Sequence, residues 1–205
     1  MITYWGHPIS FNVRKAHWTL EELGLMYRAE HVDLFAGAHR RPEFLAINPL
    51  GRVPVLDDDG LRLTESNAIV WYLAERYGRG GLAPEGGAER ARVHELLSFQ
   101  ACHYGPAFQA AWRMKFVSPH VGEPHDPESL ARLTAATAPW AAALDRRLER
   151  ADWLVGGAFS AADIPLALST DLGTQLGVDL SGYPHLSAWM ARVRARPAFE
   201  RTAMK

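Results

Sequence analysis

The sequence predicts an α/β domain followed by an all-α domain, and three observations support this fold class. A βαβ pattern opens the chain, a hairpin pattern leading into a helix follows it, and the later apolar spacing is helical throughout. Between these parts, residues 79–87 contain four glycines and a proline, a composition typical of a linker. We therefore expect domains at residues 1–79 and 88–205, joined by a linker at residues 80–87.

The βαβ pattern begins with the apolar and aromatic residues 2–5, which predict a strand. Ser10 or Asn12 can cap the helix that follows, in which apolar residues recur at helical spacing until Gly24 closes it. Residues 27–34 then predict a second strand, parallel to the first because a helix connects the two. A basic loop and a short helix at residues 43–46 complete this part.

The hairpin pattern spans residues 53–66, where two short apolar runs flank an Asp-Asp-Gly turn. Pro54 cannot donate a backbone hydrogen bond, so it belongs at the start of an edge strand or at a cis turn. The second run leads directly into a helix that starts at Ser66. The backbone edge at Val53 and this helix start would offer a peptide-like ligand hydrogen bonds, and its carboxylate a favourable dipole.

The second domain is predicted to contain four helices. We expect one long helix at residues 89–115, kinked at Gly105-Pro106, and another at residues 128–150. Residues 160–163, Ser-Ala-Ala-Asp, resemble a capping box with Asp in place of Glu and open the third helix. The fourth helix follows at residues 183–196.

The composition argues against several functional classes. The formal net charge of −1 gives no reason to expect nucleic acid or an anionic membrane as a partner. A single cysteine rules out an intramolecular disulfide and fits a reducing compartment. We see neither a signal-peptide pattern nor a run long enough to span a membrane, so we expect a cytoplasmic protein. The nine histidines lack the spacing of a ligand set, and we expect no metal site.

Several motifs, in this order and spacing, resemble those of cytosolic glutathione S-transferases over essentially the whole chain. They are Asn48-Pro49-x-Gly51-x-Val53-Pro54, Leu63-Thr64-Glu65-Ser66-x-Ala68-Ile69, and Leu154-Val155-Gly156 followed by Phe159-Ser160-x-Ala162-Asp163. Two further segments look most similar to serine-type enzymes, near the phi and theta classes and bacterial members: Pro8-x-Ser10-x-Asn12-Val13-Arg14-Lys15 and Gly37-x-His39-Arg40. The resemblance implies a thioredoxin-like, glutathione-binding first domain, a helical domain carrying the electrophile pocket, and a homodimer.

The resemblance also assigns the chemistry to the start of the first helix. There the Ser10 hydroxyl would donate a hydrogen bond to the glutathione sulfur and favour the thiolate, and Asn12 could share that role. The alternative is that Ser10 is only a helix cap. Tyr4 is a rival donor, but it lies in the strand on the same face as Ile2, which favours core packing.

The resemblance places glutathione against the hairpin. Val53, before Pro54, would pair with the cysteinyl backbone, while Glu65 and Ser66 would hold the γ-glutamyl ammonium and carboxylate. His39 and Arg40 match positions that contact the glycyl carboxylate in phi-like relatives, although a basic surface loop is usually just solvated. Arg52 departs from the family pattern, where glutamine or lysine is more frequent. It could reach the glycyl carboxylate, point into solvent or lie at a dimer interface.

The electrophile pocket is expected between the domains and to be aromatic and largely apolar, which would favour hydrophobic electrophiles. The candidates are Trp5, His7, Ile9 and Phe35 in the first domain, and His103, Tyr104, Phe108 and Trp112 in the second. Aromatic residues at helical spacing are more often core residues. Asp163 is better interpreted as a capping residue than as a catalytic acid.

The sequence therefore predicts a glutathione transferase that uses glutathione as cosubstrate and acts on small hydrophobic electrophiles. Two alternatives stay open on the same scaffold. One is a glutathione-dependent peroxidase, disulfide reductase or isomerase. The other is a non-catalytic binding module, against which the retained Glu65-Ser66 pair and Ser10 argue.

Overall fold

The computed structural model describes residues 1–120, 122 and 126–203. The chain divides into two compact units, Met1–Ala83 together with the residues from Pro197 onward, and Pro84–Arg196. The second domain expected from the sequence, residues 88–205, thus loses its last residues to the first unit.

The first unit contains a four-stranded sheet in the order β2-β1-β3-β4. The strands are β1 (Ile2–Gly6), β2 (Tyr27–His31), β3 (Val55–Asp58) and β4 (Leu61–Leu63). β1 runs parallel to β2, and antiparallel pairs join β1 to β3 and β3 to β4. The βαβ pattern and the hairpin are confirmed, with β2 ending at His31 rather than at residue 34.

Helices pack on this sheet, and two of the polar residues expected in the site, Ser10 and Ser66, lie where two of these helices start. They are α1 (Phe11–Glu22), α2 (Pro42–Leu45), preceded by a 3₁₀ turn at Ala38–Arg40, and α3 (Ser66–Tyr77). One core cluster joins β1, α1, β3 and α3 through buried side chains such as Ile2, Leu20, Leu56 and Ile69. This packing fixes the start of α1 and the start of α3 on one scaffold.

The end of the chain returns to α1 through α10 (Pro197–Arg201). The Phe199 ring meets Trp18 edge to face at 5.1 Å, and Trp18 is completely buried. The Arg14 guanidinium lies 4.4 Å from the centre of the Phe199 ring and donates to the Phe199 carbonyl at 3.2 Å. Arg201 pairs with Glu21 at 2.7 Å. These contacts explain why the last residues belong to the first unit.

The described residues of the second unit form helices joined by short segments. They are α4 (Gly87–Phe99), α5 (Gly105–Trp112), α6 (Pro127–Ala135), α7 (Ala138–Leu148), α8 (Asp163–Gln175) and α9 (Pro184–Arg194).

The long helix expected at residues 89–115 is continuous but changes its winding twice. π-helical turns occupy Gln100–Tyr104 and Arg113–Val117. The first turn precedes Pro106, which has no N–H to donate to the preceding turn. A Cβ at Gly105 would come within 2.8 Å of the Gln100 carbonyl oxygen, so this turn requires glycine.

The prediction of a single helix at residues 128–150 is wrong, because α6 ends at Ala135 and α7 begins at Ala138. Pro139 lies in the first turn of α7, where its missing N–H costs nothing, whereas inside a continuous helix it would break the backbone ladder.

At the start of α8 only one half of the expected capping box forms, because the helix begins at Asp163 with Ala162 as its N-cap residue and the Ser160 hydroxyl accepts from the Ala162 N–H at 3.3 Å. The Asp163 carboxylate accepts hydrogen bonds from the Ser160 N–H at 2.8 Å, the Ser160 hydroxyl at 2.9 Å and the Leu154 N–H at 3.2 Å. It also accepts one from the Trp189 indole N–H at 2.9 Å. Asp163 is fully buried, and burial raises its pKa while these donors oppose the rise. Asp163 therefore joins α8, α9 and the loop before α8.

Among the described helices, none combines the length and apolar character that a bilayer crossing would require.

Candidate functional site

The segment before β3 presents backbone polar groups next to the sheet. The Val53–Pro54 peptide bond is cis, which is one of the two alternatives that the sequence left open for Pro54. Within the described part of the chain, neither the N–H nor the C=O of Val53 has a hydrogen-bond partner. Val53 is half-buried and packs against the core, so its backbone is held in place. An extended peptide could pair with this residue as an added strand does.

A turn at Asn48–Gly51 sets the position of Val53. The buried Asn48 side chain donates to the Arg52 carbonyl at 2.7 Å and accepts from the Leu50 N–H at 3.1 Å. Gly51 adopts φ 59°, and a Cβ there would lie 3.0 Å from the His39 carbonyl oxygen. Glycine thus allows this turn to approach the loop that carries His39.

The loop and the turn together form a cluster of cationic side chains. Burial is the larger of the causes that lower the pKa of His39, and the positive charges of Arg40 and Arg52 lower it further. Both arginines are exposed and His39 is half-buried. The Nδ1 atom of His39 is buried without a hydrogen-bond partner among the described residues. This arrangement suits a carboxylate, because an anion would relieve the repulsion among three nitrogen-rich groups.

The start of α3 adopts an unusual backbone conformation. Glu65 has φ 63° and ψ 109°, a region in which non-glycine residues are strained, and it directly precedes Ser66. The Ser66 side chain is 8% exposed and donates to Asn12 Oδ1 at 3.3 Å. This hydrogen bond brings the starts of α1 and α3 together. The sequence assigned Glu65 and Ser66 to the ligand but did not anticipate the strained backbone.

Ser10 is the N-cap of α1. Its hydroxyl oxygen accepts from the Val13 N–H at 3.4 Å, and its backbone is extended. A hydroxyl can accept and donate at once, so capping leaves its proton for a ligand atom. The helix dipole also favours negative charge at this position. The capping role and the catalytic role expected for Ser10 are therefore compatible.

Tyr4, the rival hydrogen-bond donor, lies in the core cluster and is 8% exposed. Its ring stacks on His17 at 5.7 Å and packs against Tyr27 at 5.5 Å. Burial raises the pKa of its hydroxyl. The expectation of core packing for Tyr4 is confirmed.

Lys15 belongs to the same region, although the sequence reasoning gave it no role. It is 2% exposed, and its ammonium lies 3.0 Å from Asn67 Oδ1 and 3.4 Å from Ser66 Oγ. The available signal was its helical spacing with Phe11 and Thr19, which are also buried on α1. Burial lowers the pKa of Lys15 to about 7, against the opposing effect of Glu65.

The pocket candidates of the first unit have different surroundings. The His7 ring contacts Phe35 at 5.6 Å and His31 at 4.9 Å, and its Nδ1 accepts from the Ile9 N–H. Burial lowers the pKa of His7. Phe35 is 51% exposed and Ile9 is half-buried, so both have surface for a ligand. Trp5 packs against a separate core cluster around Val32, Phe44 and Val55, beside Arg62.

Two pocket candidates of the second unit are core residues instead. Tyr104 and Phe108 are each 1% exposed and meet edge to face at 5.0 Å. The Tyr104 hydroxyl shares a hydrogen bond with Thr170 at 3.0 Å, and a Cβ at Gly173 would collide with the Phe108 ring. Their assignment to a ligand pocket is therefore a misassignment, because α8 covers both rings.

The remaining two candidates of the second unit keep accessible surface. Trp112 is half-buried and lies near Phe116, with ring centres 6.1 Å apart. His103 is exposed and packs on Trp140 of α7 at 5.4 Å. His103 also lines a groove of about 520 Å³ between α4 and α7.

As for metal ligands, the described ranges bring together no group of three His, Cys, Asp or Glu side chains suited to an ion. His125, one of the nine histidines, lies outside the described residues.

Comparison with known proteins gives matches to two family models that together span most of the chain. The model of the glutathione S-transferase N-terminal domain matches residues 1–75, and that of the C-terminal domain matches residues 108–197.

Individual relatives match over nearly the full length. Glutathione S-transferase 3 of Zea mays is 32% identical over 203 residues, which cover 97% of this chain and 91% of the relative. The disulfide-bond oxidoreductase YfcG of Escherichia coli is 34% identical over 201 residues, which cover 95% of this chain and 91% of the relative.

A solved structure extends the comparison to the fold. The theta class glutathione S-transferase from the citrus canker pathogen Xanthomonas axonopodis pv. citri, with glutathione bound, is similar with a TM-score of 0.90 and 35% identity. The match covers 100% of this chain and 97% of that chain.

Proposed function

The chain belongs to the glutathione S-transferase family, and we propose that it activates the glutathione thiol as a thiolate for attack on small hydrophobic electrophiles. One observation carries this proposal above the others. The hydrogen bond from Ser66 to Asn12 joins the residue expected to hold the γ-glutamyl carboxylate to the helix start expected to hold the sulfur. A single tripeptide could then engage both at once.

The cosubstrate would be held along its whole length by the first unit. Ser66 and the start of α3 would take the γ-glutamyl carboxylate, and Glu65 would face the ammonium. The unpaired backbone of Val53, next to Pro54, would receive the cysteinyl residue. The cluster of His39, Arg40 and Arg52 would receive the glycyl carboxylate, which gives Arg52 a role that its mere exposure would not suggest.

Ionising the thiol accounts for only a small part of the rate. A free thiol with a pKa near 8.5 is about 3% ionised at pH 7. Lowering the pKa by about 2 units gives roughly 75% thiolate, but intrinsic nucleophilicity falls about sixfold to tenfold for a Brønsted slope of about 0.4–0.5. The net gain is about threefold. Holding the electrophile beside the sulfur and stabilising the charge that develops on it must supply the rest.

The electrophile would be received by apolar and aromatic side chains that have surface to offer. In the first unit these are Ile9 and Phe35, with His7 packed against the Phe35 ring. In the second unit Trp112 is the corresponding candidate. Such side chains favour apolar molecules that carry a reactive carbon, such as aryl halides, enones and isothiocyanates.

A glutathione-dependent disulfide reductase is the second candidate function, because YfcG, a disulfide-bond oxidoreductase, is 34% identical to this chain. Both functions need the same thiolate and differ in the second substrate. We expect the protein to be a homodimer, as members of its family are, and to act in the cytoplasm, where glutathione is kept reduced.

The binding half of the proposal is tested by retention on immobilised glutathione and elution with free glutathione. We expect the protein to be retained. Failure to bind at millimolar ligand would exclude every glutathione-dependent function. Size-exclusion chromatography with light scattering on the same sample measures the oligomeric state.

The chemical half is tested by a screen with aryl halides, enones, isothiocyanates, hydroperoxides and a small disulfide. Turnover of the carbon electrophiles indicates a transferase, and turnover of the disulfide alone indicates the reductase. Silence with every substrate, despite binding, would favour a non-catalytic module.

The donor to the sulfur is identified by comparing Ser10→Ala with Tyr4→Phe. Loss of a hydrogen bond to a charged group costs about 1.5–3 kcal/mol, so Ser10→Ala should lower kcat/KM about 10- to 100-fold. The pKa of the bound thiol, read from thiolate absorbance, should rise with it. Tyr4→Phe should retain both values. Full activity and an unshifted thiol pKa in Ser10→Ala would contradict the assignment.

A further inference from the structure

Lys15 is a buried cation whose position the proposed chemistry leaves unexplained. Lysine is almost never fully buried unless it is paired, because removing the ammonium from water is costly. Here the side chain is 2% exposed, and its ammonium contacts the neutral oxygens Asn67 Oδ1 and Ser66 Oγ. The Phe11 ring lies 5.0 Å from the ammonium. The side chain thus crosses from α1 to the start of α3.

Burial and a nearby carboxylate act on the charge of Lys15 in opposite directions. Glu65, on the loop before α3, is the acid that acts on it electrostatically, and burial outweighs this effect. On α1 itself, the neighbouring Arg14 donates to the Phe199 carbonyl and packs on its ring. On α10, which packs against α1, Arg201 pairs with Glu21. In the unliganded protein the pKa of Lys15 is about 7, so the group is about half protonated near neutral pH.

The contact with Ser66 links this cation to the anion expected in the site. Lys15 donates to Ser66 Oγ, and Ser66 in turn donates to Asn12 Oδ1. A carboxylate arriving at Ser66 can replace Asn12 as the acceptor while the ammonium stays behind the hydroxyl. Donation from a cation polarises that hydroxyl and strengthens the hydrogen bond that it gives.

We propose that Lys15 is a positioning residue of the γ-glutamyl carboxylate subsite, its ammonium seated behind Ser66 so that it strengthens the hydrogen bond from that hydroxyl to the ligand. This inference rests on the proposed function, because it requires glutathione or an analogue at Ser66. It predicts that ligand binding and protonation of Lys15 reinforce each other, as linkage requires for an anion that meets a titrating cation.

The consequence is a pH-dependent affinity with a defined direction. At pH 6 Lys15 is already protonated in the free protein, so the ligand meets a cation. At pH 8 the free protein holds it mostly neutral, and binding must first recover the proton. The Kd should therefore rise by up to about tenfold between pH 6 and pH 8 on this account alone.

The experiment measures the Kd of S-methylglutathione between pH 6 and pH 8 by isothermal titration calorimetry. This analogue has no thiol to titrate. The variant Lys15→Met keeps an apolar stem of similar length and removes the charge. We expect it to bind more weakly at pH 6 and to lose the component of the pH dependence that Lys15 supplies. Titration of the ligand amine, and of His7 and His39, contributes to both proteins, so the ratio of the Kd values of the two proteins isolates Lys15.

Asn67→Ala is the matched control, because it removes one contact of Lys15 and leaves the ammonium and its contact with Ser66. We expect this variant to keep the pH dependence of the unaltered protein. Equal pH dependence in Lys15→Met and the unaltered protein would overturn the inference. So would loss of the pH dependence in Asn67→Ala with Lys15→Met unaffected.

A second measurement applies if Lys15→Met fails to fold, and it compares the unaltered protein with His39→Ala, which removes the protons that His39 takes up on binding. Calorimetry at pH 7 in two buffers of different ionisation enthalpy counts the protons taken up on binding. We expect His39→Ala to keep an uptake of roughly half a proton per ligand. An uptake near zero in that variant would overturn the inference. If the unaltered protein does not bind S-methylglutathione at all, the proposed function fails first.

Discussion

The two units of this molecule use buried polar groups in opposite ways. In the first unit, Lys15, Ser66 and Asn12 form hydrogen bonds that a ligand can rearrange, and Glu65 is held in a strained conformation beside them. In the second unit, Asp163 at the start of α8 accepts hydrogen bonds from groups on the preceding loop and on α9. The first arrangement is suited to binding, whereas the second is suited to holding helices together. Burial alone therefore does not reveal which role a polar side chain has.

The largest effect should come from the second unit. Asp163→Ala leaves four donors without an acceptor inside the protein, and we expect a loss of about 3–5 kcal/mol in the free energy of unfolding. Urea denaturation and the yield of folded protein measure it. Asp126→Ala is the matched control, because Asp126 caps α6 at the surface and its loss should cost about 0.5–2 kcal/mol. Equal losses in the two variants would break the comparison between units.

The next effect concerns how the stability of the first unit depends on pH. Below pH 7, Lys15 is protonated in both the folded and the unfolded chain, and the full cost of burying a charge is present. Between its folded pKa of about 7 and its ordinary value of 10.5, the unfolded chain binds more protons, so raising the pH stabilises the fold.

This dependence is measured as the difference in unfolding free energy between the unaltered protein and Lys15→Met from pH 6.5 to pH 9. The difference should shift in favour of the unaltered protein by up to about 1.4 kcal/mol per pH unit. A constant difference would mean that Lys15 keeps its proton in the folded chain. Lys15 would then be a fixed structural charge, and the contrast between the two units would disappear.

The smallest effect sharpens the boundary between core and pocket in the second unit. Tyr104→Phe removes only the hydrogen bond to Thr170, and we expect a loss of about 0.5–1.5 kcal/mol in stability. The KM values for glutathione and for the electrophile should not change, because α8 covers the ring. Trp112→Ala, which alters a half-buried side chain, should change the KM for the electrophile. A changed KM for the electrophile in Tyr104→Phe would indicate that Tyr104 lines the electrophile pocket after all.

The features that sequence reasoning predicted correctly are those governed by local physics. The hairpin within residues 53–66 and the hydrogen bond from the Ser160 N–H to the Asp163 carboxylate each depend on a few neighbouring residues. Pro139 also carried a local signal, because proline fits the first turn of a helix and not its middle. The prediction of one continuous helix over residues 128–150 overlooked this preference of proline.

The features that sequence reasoning missed depend on contacts between distant parts of the chain. Tyr104 has the spacing of a pocket residue, and only its contact with Thr170 of α8 shows that it is buried. In the sequence, Lys15 resembles an ordinary surface lysine, and only the contacts with Ser66 and Asn67 of α3 show that it is buried. The return of Phe199 to Trp18 spans most of the chain and leaves no local pattern. Periodicity along one element cannot report which other element covers it.

The contact between Phe199 and Trp18 also has a consequence for biosynthesis. The ribosome makes the strands of the first unit before the second unit, but the residues that close the Trp18 side of the first unit emerge only after the second unit. At a synthesis rate of about 5–20 residues per second, the intervening second unit takes roughly 6–23 seconds to make. During that interval the nascent chain exposes an indole and a guanidinium that the finished protein covers. The first unit is thus completed only after the second unit has been made.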